Sequence, residues 1–165
     1  MKQRLADPYR DLDVIDSRAP RFTQAVVGLA ALAAVTVGPR WLLALLALQL
    51  VVGLALGRRF CLTCLAYFEL VQPRLGEGAL EDARPPRFAN IVGAAFLGSA
   101  YAAYALGLAS LGAGLGGLVA GLAVLAAATG FCAGCEAYKL AYLLTGRKFV
   151  ACPIPRRAGG RAASA

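Results

Sequence analysis

DSRAPRFTQAVVG at residues 16–28 returns as DARPPRFANIVGA at residues 82–94, displaced by 66 residues. The match sets Asp16 against Asp82, Arg18 against Arg84, Pro20 against Pro86, Arg21 against Arg87, Phe22 against Phe88 and Val26 against Val92. A second echo closes each unit: FCLTCLAY at 60–67 and FCAGCEAY at 131–138, displaced by 71. Five extra residues in the apolar runs or outer turn of the second unit reconcile the two displacements. The chain reads as a tandem duplication, each copy an entry motif, a two-helix hairpin, a Cys-x-x-Cys and a short polar segment.

What lies between the echoes is apolar. Of 165 residues 59% are hydrophobic and none is His, a composition outside the range of ordinary soluble domains. A helix crossing a bilayer needs roughly 17–25 apolar residues, and the runs at 22–38, 41–57, 88–108 and 112–130 meet that need, the first two near its lower limit. Four uncharged runs in so short a chain argue against hairpins buried in a soluble core. The expected fold is an all-α integral membrane protein of four transmembrane helices, built from two tandem helical-hairpin repeats. A unit with an even number of spans returns to the side it started from, so the copies are expected to be related by a pseudo-twofold axis along the membrane normal. The expected organisation is an N-terminal tail (1–20), repeat 1 (21–71), a flexible linker (72–87), repeat 2 (88–146) and a basic, disordered C-terminal tail (147–165).

The charges assign the sides. Of the 17 Lys and Arg residues only Arg40 falls in a turn on the far side, and all nine acidic residues lie on the near side. Positive charge marks the cytoplasmic face, which predicts a multi-pass protein of the bacterial inner membrane with both termini and the linker in the cytoplasm. The acidic start, with Asp7, Asp11, Asp13 and Asp16, is unlike a cleavable signal peptide, so the first span is expected to be retained. The net charge of +8 is read as a topology signal and an attraction to membrane lipids. No basic and aromatic module large enough for nucleic acid accompanies it.

Cys61, Cys64, Cys132, Cys135 and Cys152 all fall on the cytoplasmic side of this scheme. Permanent disulfides are not expected there, and paired cysteines in a reducing compartment serve thiol exchange or metal binding. Gly57 and Gly130 are placed to break the membrane helices just before each motif. Phe60 and Phe131 then anchor in the interface, and a new amphipathic helix begins near the first cysteine. Its apolar positions are Leu62, Leu65, Phe68 and Leu70 in the first copy and Tyr138, Leu140, Tyr142 and Leu143 in the second. A thiol in a first helical turn meets the positive end of the helix dipole, which favours thiolate. Arg58 and Arg59 precede the first pair, whereas Glu136 follows the second. On that basis Cys61 is expected to be the stronger nucleophile, with Cys64 resolving and Cys132 with Cys135 forming a second dithiol in exchange with the first. The alternative assigns Cys61, Cys64, Cys132 and Cys135 to one zinc or iron-sulfur site, assembled at the pseudo-twofold axis. A purely structural role remains for buried thiols. With no His, a His-ligated metal or haem within the chain is ruled out. No quinone or flavin site is legible.

Smaller signals complete the reading. Gly112, Gly116, Gly117 and Gly121 form small-x-x-x-small patterns suited to close helix packing in lipid. Thr36, Gln49 and Ser99 are expected to hydrogen-bond between helices. Asp16 and Asp82 are placed to cap the odd spans, and Arg21 and Arg87 to snorkel to headgroups. Cys152 stands alone before Pro153.

With PRFTQAVVG, RFCLTC, ARPPRFANIVG and ATGFCAGCE in view, the chain resembles over residues 14–145 a bacterial membrane family catalogued as a domain of unknown function. The resemblance implies four spans and a functional association with thioredoxin-like and sulfurtransferase proteins. The function expected is a cytoplasm-facing membrane dithiol protein for thiol-disulfide exchange or sulfur transfer with a thioredoxin-like or rhodanese-like partner.

Overall fold

The computed structural model describes residues 6–144. In chain order these form β1 (Val14–Asp16), α1 (Arg18–Thr36), α2 (Trp41–Ala55), a 3-10 turn (Arg58–Phe60), α3 (Leu62–Ala66), a π-helical turn (Tyr67–Val71), α4 (Gln72–Leu75), β2 (Leu80–Asp82), α5 (Arg84–Ala105), α6 (Ala109–Thr129) and α7 (Ala133–Leu144). The architecture is helical, tied at one end by a two-stranded ribbon. Three helices, α1, α5 and α6, are long and apolar enough to cross a membrane, whereas α2 has 15 residues. At roughly 1.5 Å per residue, α2 alone is shorter than the hydrocarbon core.

The helices begin earlier than hydropathy placed them. Arg18 and Arg84 open α1 and α5, four residues ahead of Phe22 and Phe88, where the apolar runs begin. The reason is local. Asp16 Oδ1 accepts the backbone N–H of Arg18 at 3.0 Å and Asp82 Oδ1 accepts that of Arg84 at 2.8 Å, so each aspartate satisfies a donor that a first helical turn leaves without an internal partner. The expected pair of helix-start aspartates is present, one residue before the formal cap.

The ribbon joins these two starts. β1 and β2 run antiparallel with Val14 opposite Asp82, Ile15 opposite Glu81 and Asp16 opposite Leu80. Ser17 N–H adds a bond to Ala79 O at 2.8 Å, and Ala83 N–H one to Asp13 O at 2.9 Å. Asp16 is 2% exposed, and its Oδ2 accepts from Gln72 Nε2 at 3.2 Å and Gly78 N–H at 2.9 Å. A Cβ at Gly78 would lie 2.6 Å from Asp16 Oδ1, so only glycine brings the chain this close. The segment 72–87, expected to be a flexible linker, is instead a hydrogen-bonded part of the fold.

Above the ribbon, α1 packs mainly on α6 and α2 mainly on α5, with α5 also against α6 and α7. The core is built from small residues and leucines: Val27, Ala31 and Ala34 of α1, Leu43, Leu46, Ala47 and Leu50 of α2, Ala94, Leu97 and Ala100 of α5, and Ala120 of α6. Small side chains let these backbones approach, the usual basis of helix packing in lipid. Gly28 is in the same category, with Val124 and Ala123 of α6 about 3 Å from where its Cβ would stand. Of the four glycines singled out in α6, Gly112 meets the Tyr104 ring and Gly116 meets Val35, while Gly117 and Gly121 meet nothing within 4 Å. Thr36 bonds the Leu32 carbonyl of its own helix rather than a neighbour.

Asp16→Ala strips an acceptor from three donors and is expected to cost about 2–3 kcal/mol. Asp82→Ala, whose bidentate partner Arg84 is partly exposed, is expected to cost about 1 kcal/mol. Thermal unfolding in detergent measures both; equal losses would show that the Gln72 and Gly78 contacts contribute nothing.

Candidate functional site

Each cysteine motif begins just after a glycine that follows the second helix of its half. Gly57 has φ 90° and Gly130 φ 78°, a region that other residues avoid. After Gly57 the 3-10 turn leads to Cys61, whose carbonyl accepts Leu65 N–H at 2.8 Å; after Gly130, the Cys132 carbonyl accepts Glu136 N–H at 3.0 Å. Cys61 and Cys132 therefore sit at the starts of α3 and α7, as the spacing predicted. Phe60 and Phe131 precede them, 56% and 57% exposed.

The two motifs are held by equivalent contacts. Phe22 in the first turns of α1 packs on Tyr67 with ring centroids 5.8 Å apart, and Phe88 of α5 packs on Tyr138 at 5.5 Å. One residue further on, Thr23 Oγ1 donates to Thr63 Oγ1 at 3.2 Å. The corresponding residues of the second copy, Ala89 and Gly134, touch so closely that a Cβ on Gly134 would lie 2.7 Å from Ala89 Cβ. One contact is solved by a hydrogen bond and the other by the absence of a side chain. Gln49 Nε2 also reaches Thr63 Oγ1, at 3.4 Å.

The remaining entry-motif residues serve the opposite copy. A side chain at Gly130 would collide with the Arg21 guanidinium, and Gln24 donates a side-chain hydrogen bond to Cys132. Arg87 and Asn90 line a small cavity with Gly57, Cys61 and Cys64. The Phe of each Arg-Phe-x-Gln/Asn motif thus holds its own copy's cysteine helix, while the Arg and the carboxamide stand at the other copy's cysteines. The tyrosine of the repeated Phe-Cys-x-x-Cys-x-Ala-Tyr signature was available in the sequence as a marker of this contact; the crossed arrangement was not.

In both pairs the first thiol is acidic and the second is not. Cys61 is lowered to about 6, first by a hydrogen bond from the Cys64 thiol, then by the Thr63 hydroxyl and the N–H groups of Cys64 and Thr63, against burial. Cys132 is likewise lowered to about 6 by the Cys135 thiol, the N–H groups of Cys135 and Gly134 and the Gln24 side chain, again against burial. Cys64 and Cys135 are pushed far up by holding their protons toward these thiolates, and by burial.

The two pairs differ in access rather than in acidity. Cys61 is 4% exposed, and a Cβ on Gly53 would lie 2.9 Å from its own Cβ, so it packs against α2. Arg58, expected to support the Cys61 thiolate, is engaged elsewhere: its guanidinium donates to the carbonyls of Pro8, Asp11 and Leu12 at 3.2, 3.2 and 2.8 Å. It straps the N-terminal segment over the first motif, and its charge acts chiefly on Cys64. Tyr9 adds an edge contact to Phe68, which with Tyr67 is buried by the π-helical turn instead of joining the exposed face of Leu62, Leu65 and Leu70. Among the described residues nothing comparable closes around the second motif. Cys132 and Cys135 are partly exposed, α7 has no buried residue, and Glu136, expected to oppose the thiolate, is paired with Lys139 at 2.8 Å.

Among the described residues no three or more of His, Cys, Asp and Glu are grouped to hold a metal ion. The four sulfurs are two dithiols here, not one cluster. Cys152 lies outside the described residues.

A family model described as "Domain of unknown function (DUF4395)" matches residues 15–142, from the ribbon to the last turns of α7. The chain belongs to this family. The DUF4395 match takes in both entry motifs and both Cys-x-x-Cys pairs, so the duplicated site lies within the family's own extent. Neither the curated proteins nor the solved structures provide a match.

Alkylation of the reduced protein by iodoacetamide is expected to rise with pH through about pH 6 at Cys132 and to be slow at Cys135. At neutral pH Cys132 is expected to react at least tenfold faster than Cys61, whose sulfur is covered. Mass mapping of each thiol gives the rates, and a Cys61 reacting as fast as Cys132 in folded protein would refute the difference in access between the two pairs.

Proposed function

We propose that this is a four-span membrane protein whose two cysteine pairs face the cytoplasm and carry out thiol-disulfide exchange or sulfur transfer. The observation that carries the reading is that each motif places two free cysteines in the first turn of a short helix, the first with its carbonyl already accepting the N–H four residues on, a setting that lowers the first thiol. A lowered thiol carries more thiolate at neutral pH than a free cysteine, and thiolate is the form that attacks disulfides.

Several features support the four-span, twofold arrangement. The ribbon register is self-complementary under the duplication: Ile15 faces Glu81, the residue 66 positions on, and Val14 faces Asp82, the counterpart of Asp16. The packing of α1 on α6 and of α2 on α5 is the same contact repeated with the copies exchanged. Tyr67, beyond the end of α2, packs on Phe22 near the start of α1, so α2 returns to the level from which α1 began. It does so as a short helix whose thickness deficit is shared by the flanking 3-10 turn and local bilayer thinning. The charge asymmetry of the sequence then directs both motifs to the cytoplasm of a bacterium.

In the exchange, the Cys132 thiolate attacks a disulfide sulfur of a thioredoxin-like partner, forming a mixed disulfide and releasing the partner's other sulfur as a thiol. Cys135, giving up its proton, attacks Cys132 Sγ, forms the intramolecular disulfide and frees the partner's second thiol. With a rhodanese-like donor the same thiolate takes a sulfane sulfur as a persulfide. Cys61 and Cys64 form the inner pair, and its exchange with the outer one requires the covered Cys61 to be uncovered first, since the two pairs are not grouped.

Equilibration of the anaerobic protein with thiol-disulfide buffers, followed by acid quench and intact mass, tests the reading. A reversible loss of two hydrogens at Cys132 and Cys135 is expected, and Cys135→Ser is expected to trap a mixed disulfide with glutathione that Cys132→Ser cannot form. A protein that stays reduced under every buffer, or a Cys132→Ser variant that behaves as the parent, would end it.

A further inference from the structure

The outer dithiol has a cavity attached to it. A space of about 380 Å³ lies between α1, α5 and α6, in the half of the bundle nearest the ribbon, and Cys132, Ala133, Gly134 and Ala137 of the second motif close one end. The matching space beside Cys61 is about 70 Å³, narrowed by Leu12, Ile15 and Arg58. The copies have thus diverged where it matters for a ligand: one thiol is walled in and the other opens onto a chamber. Small-molecule sites fall at roughly 300–1,000 Å³ with apolar walls and a few placed polar groups.

The chamber's walls fit a particular chemistry. Val27, Val119 and Ala126 are aliphatic surface, and Phe88 and Phe96 supply aromatic surface for a flat ring. Leu118 and Leu122 line it while 49% and 43% exposed on the apolar outside of the bundle, so its mouth is on the lipid side. Its polar side chains are the carboxamides of Gln24 and Asn90, with Thr23 nearby. Gln24 already bonds Cys132, and Asn90 reaches both this chamber and the one at Cys61 and Cys64. Carboxamide N–H groups recognise carbonyl oxygens, and apart from the Cys132 thiolate nothing in the wall carries a charge.

We propose that this chamber binds a lipid-soluble quinone, which serves as the two-electron acceptor for the Cys132–Cys135 dithiol. The inference rests on the dithiol reading above and names its oxidant. The ring sits between Phe88 and Phe96 with its carbonyl oxygens on Gln24 and Asn90, and its chain leaves past Leu118 and Leu122 into the bilayer. The Cys132 thiolate adds to a ring carbon. Cys135 then attacks Cys132 Sγ, forming the disulfide as the sulfur-carbon bond breaks and its electron pair returns to the ring. The reduced ring takes two protons, one from Cys135 and one from the water that received the Cys132 proton, and leaves as quinol.

The test uses the full chain, reduced and anaerobic in detergent, with a decyl benzoquinone whose ring positions are all substituted, which prevents stable thiol addition. Quinone absorbance and intact protein mass are followed together, and reduction of a water-soluble aryl disulfide is measured on the same samples. One quinone consumed per Cys132–Cys135 disulfide is expected. Asn90→Leu and, at the lipid-side mouth, Leu122→Trp are expected to slow quinone reduction at least tenfold, with Leu122→Trp leaving aryl disulfide reduction within about twofold of the parent. Aryl disulfide reduction without quinone reduction, or quinone reduction indifferent to both variants, would overturn the quinone site, leave the dithiol reading standing and assign the chamber to lipid chains. Loss of both reactions in the parent protein would reject both.

Discussion

The antiparallel pairing of Val14–Asp16 with Leu80–Asp82 brings together the starts of two helices that are 66 residues apart. Nearly everything else at that end of the molecule is arranged around it. Asp16 and Asp82 satisfy the first turns of α1 and α5 while their strands satisfy each other, so little backbone is left unpaired where the chain passes from polar to apolar surroundings. Unpaired backbone groups are costly in lipid, and a ribbon at this level meets that constraint for both copies at once. Fixing the two starts side by side also fixes the partners of the helices that follow, and α1 finds α6 while α2 finds α5.

The cysteine motifs inherit their geometry from this arrangement. Phe22 and Phe88 are one helical turn beyond the ribbon, and each clamps the tyrosine of its own motif. Arg21 and Gln24 reach the second motif, and Arg87 and Asn90 the cavity of the first. Each sulfur pair is therefore assembled from both copies, and neither unit alone completes it. After that common plan the copies part. Cys61 is buried against α2, with the N-terminal segment strapped by Arg58 beside its small cavity, while Cys132 is partly exposed and adjoins a larger chamber. One duplicated motif becomes an inner and an outer dithiol.

Much of this was legible in the amino-acid order because it is local. Gly57 and Gly130 as helix breakers, the cysteines at helix starts and the aspartates before the odd helices are all set by residues within a few positions. The ribbon was not legible, since VID and LED are too short for an alternating pattern and each needs a partner far along the chain. Its absence from the reading is why residues 72–87 looked like a free linker. Arg58 was credited to Cys61 because the two are close in sequence, yet its guanidinium is turned to the carbonyls of residues 8–12, a choice only tertiary structure makes. The burial of Phe68 depends on the π-helical turn, which moves it off the face that an α-helical period assigns. The chamber is bounded by residues from five helices, and no spacing rule records such a space.

The central claim is that two parallel hairpins present both dithiols on one face of the membrane. Two variants, one retaining Cys61 and the other Cys132 as the only cysteine, would be labelled with a membrane-impermeant maleimide in sealed right-side-out and inverted vesicles. A pulse of mild denaturant short of vesicle lysis would expose Cys61. Labelling of both variants only in inverted vesicles is the predicted result. Labelling of both only in right-side-out vesicles would make α2 a non-spanning helix, and labelling of the two from opposite sides would show that α5 and α6 do not form a hairpin across the membrane; either contradicts the account.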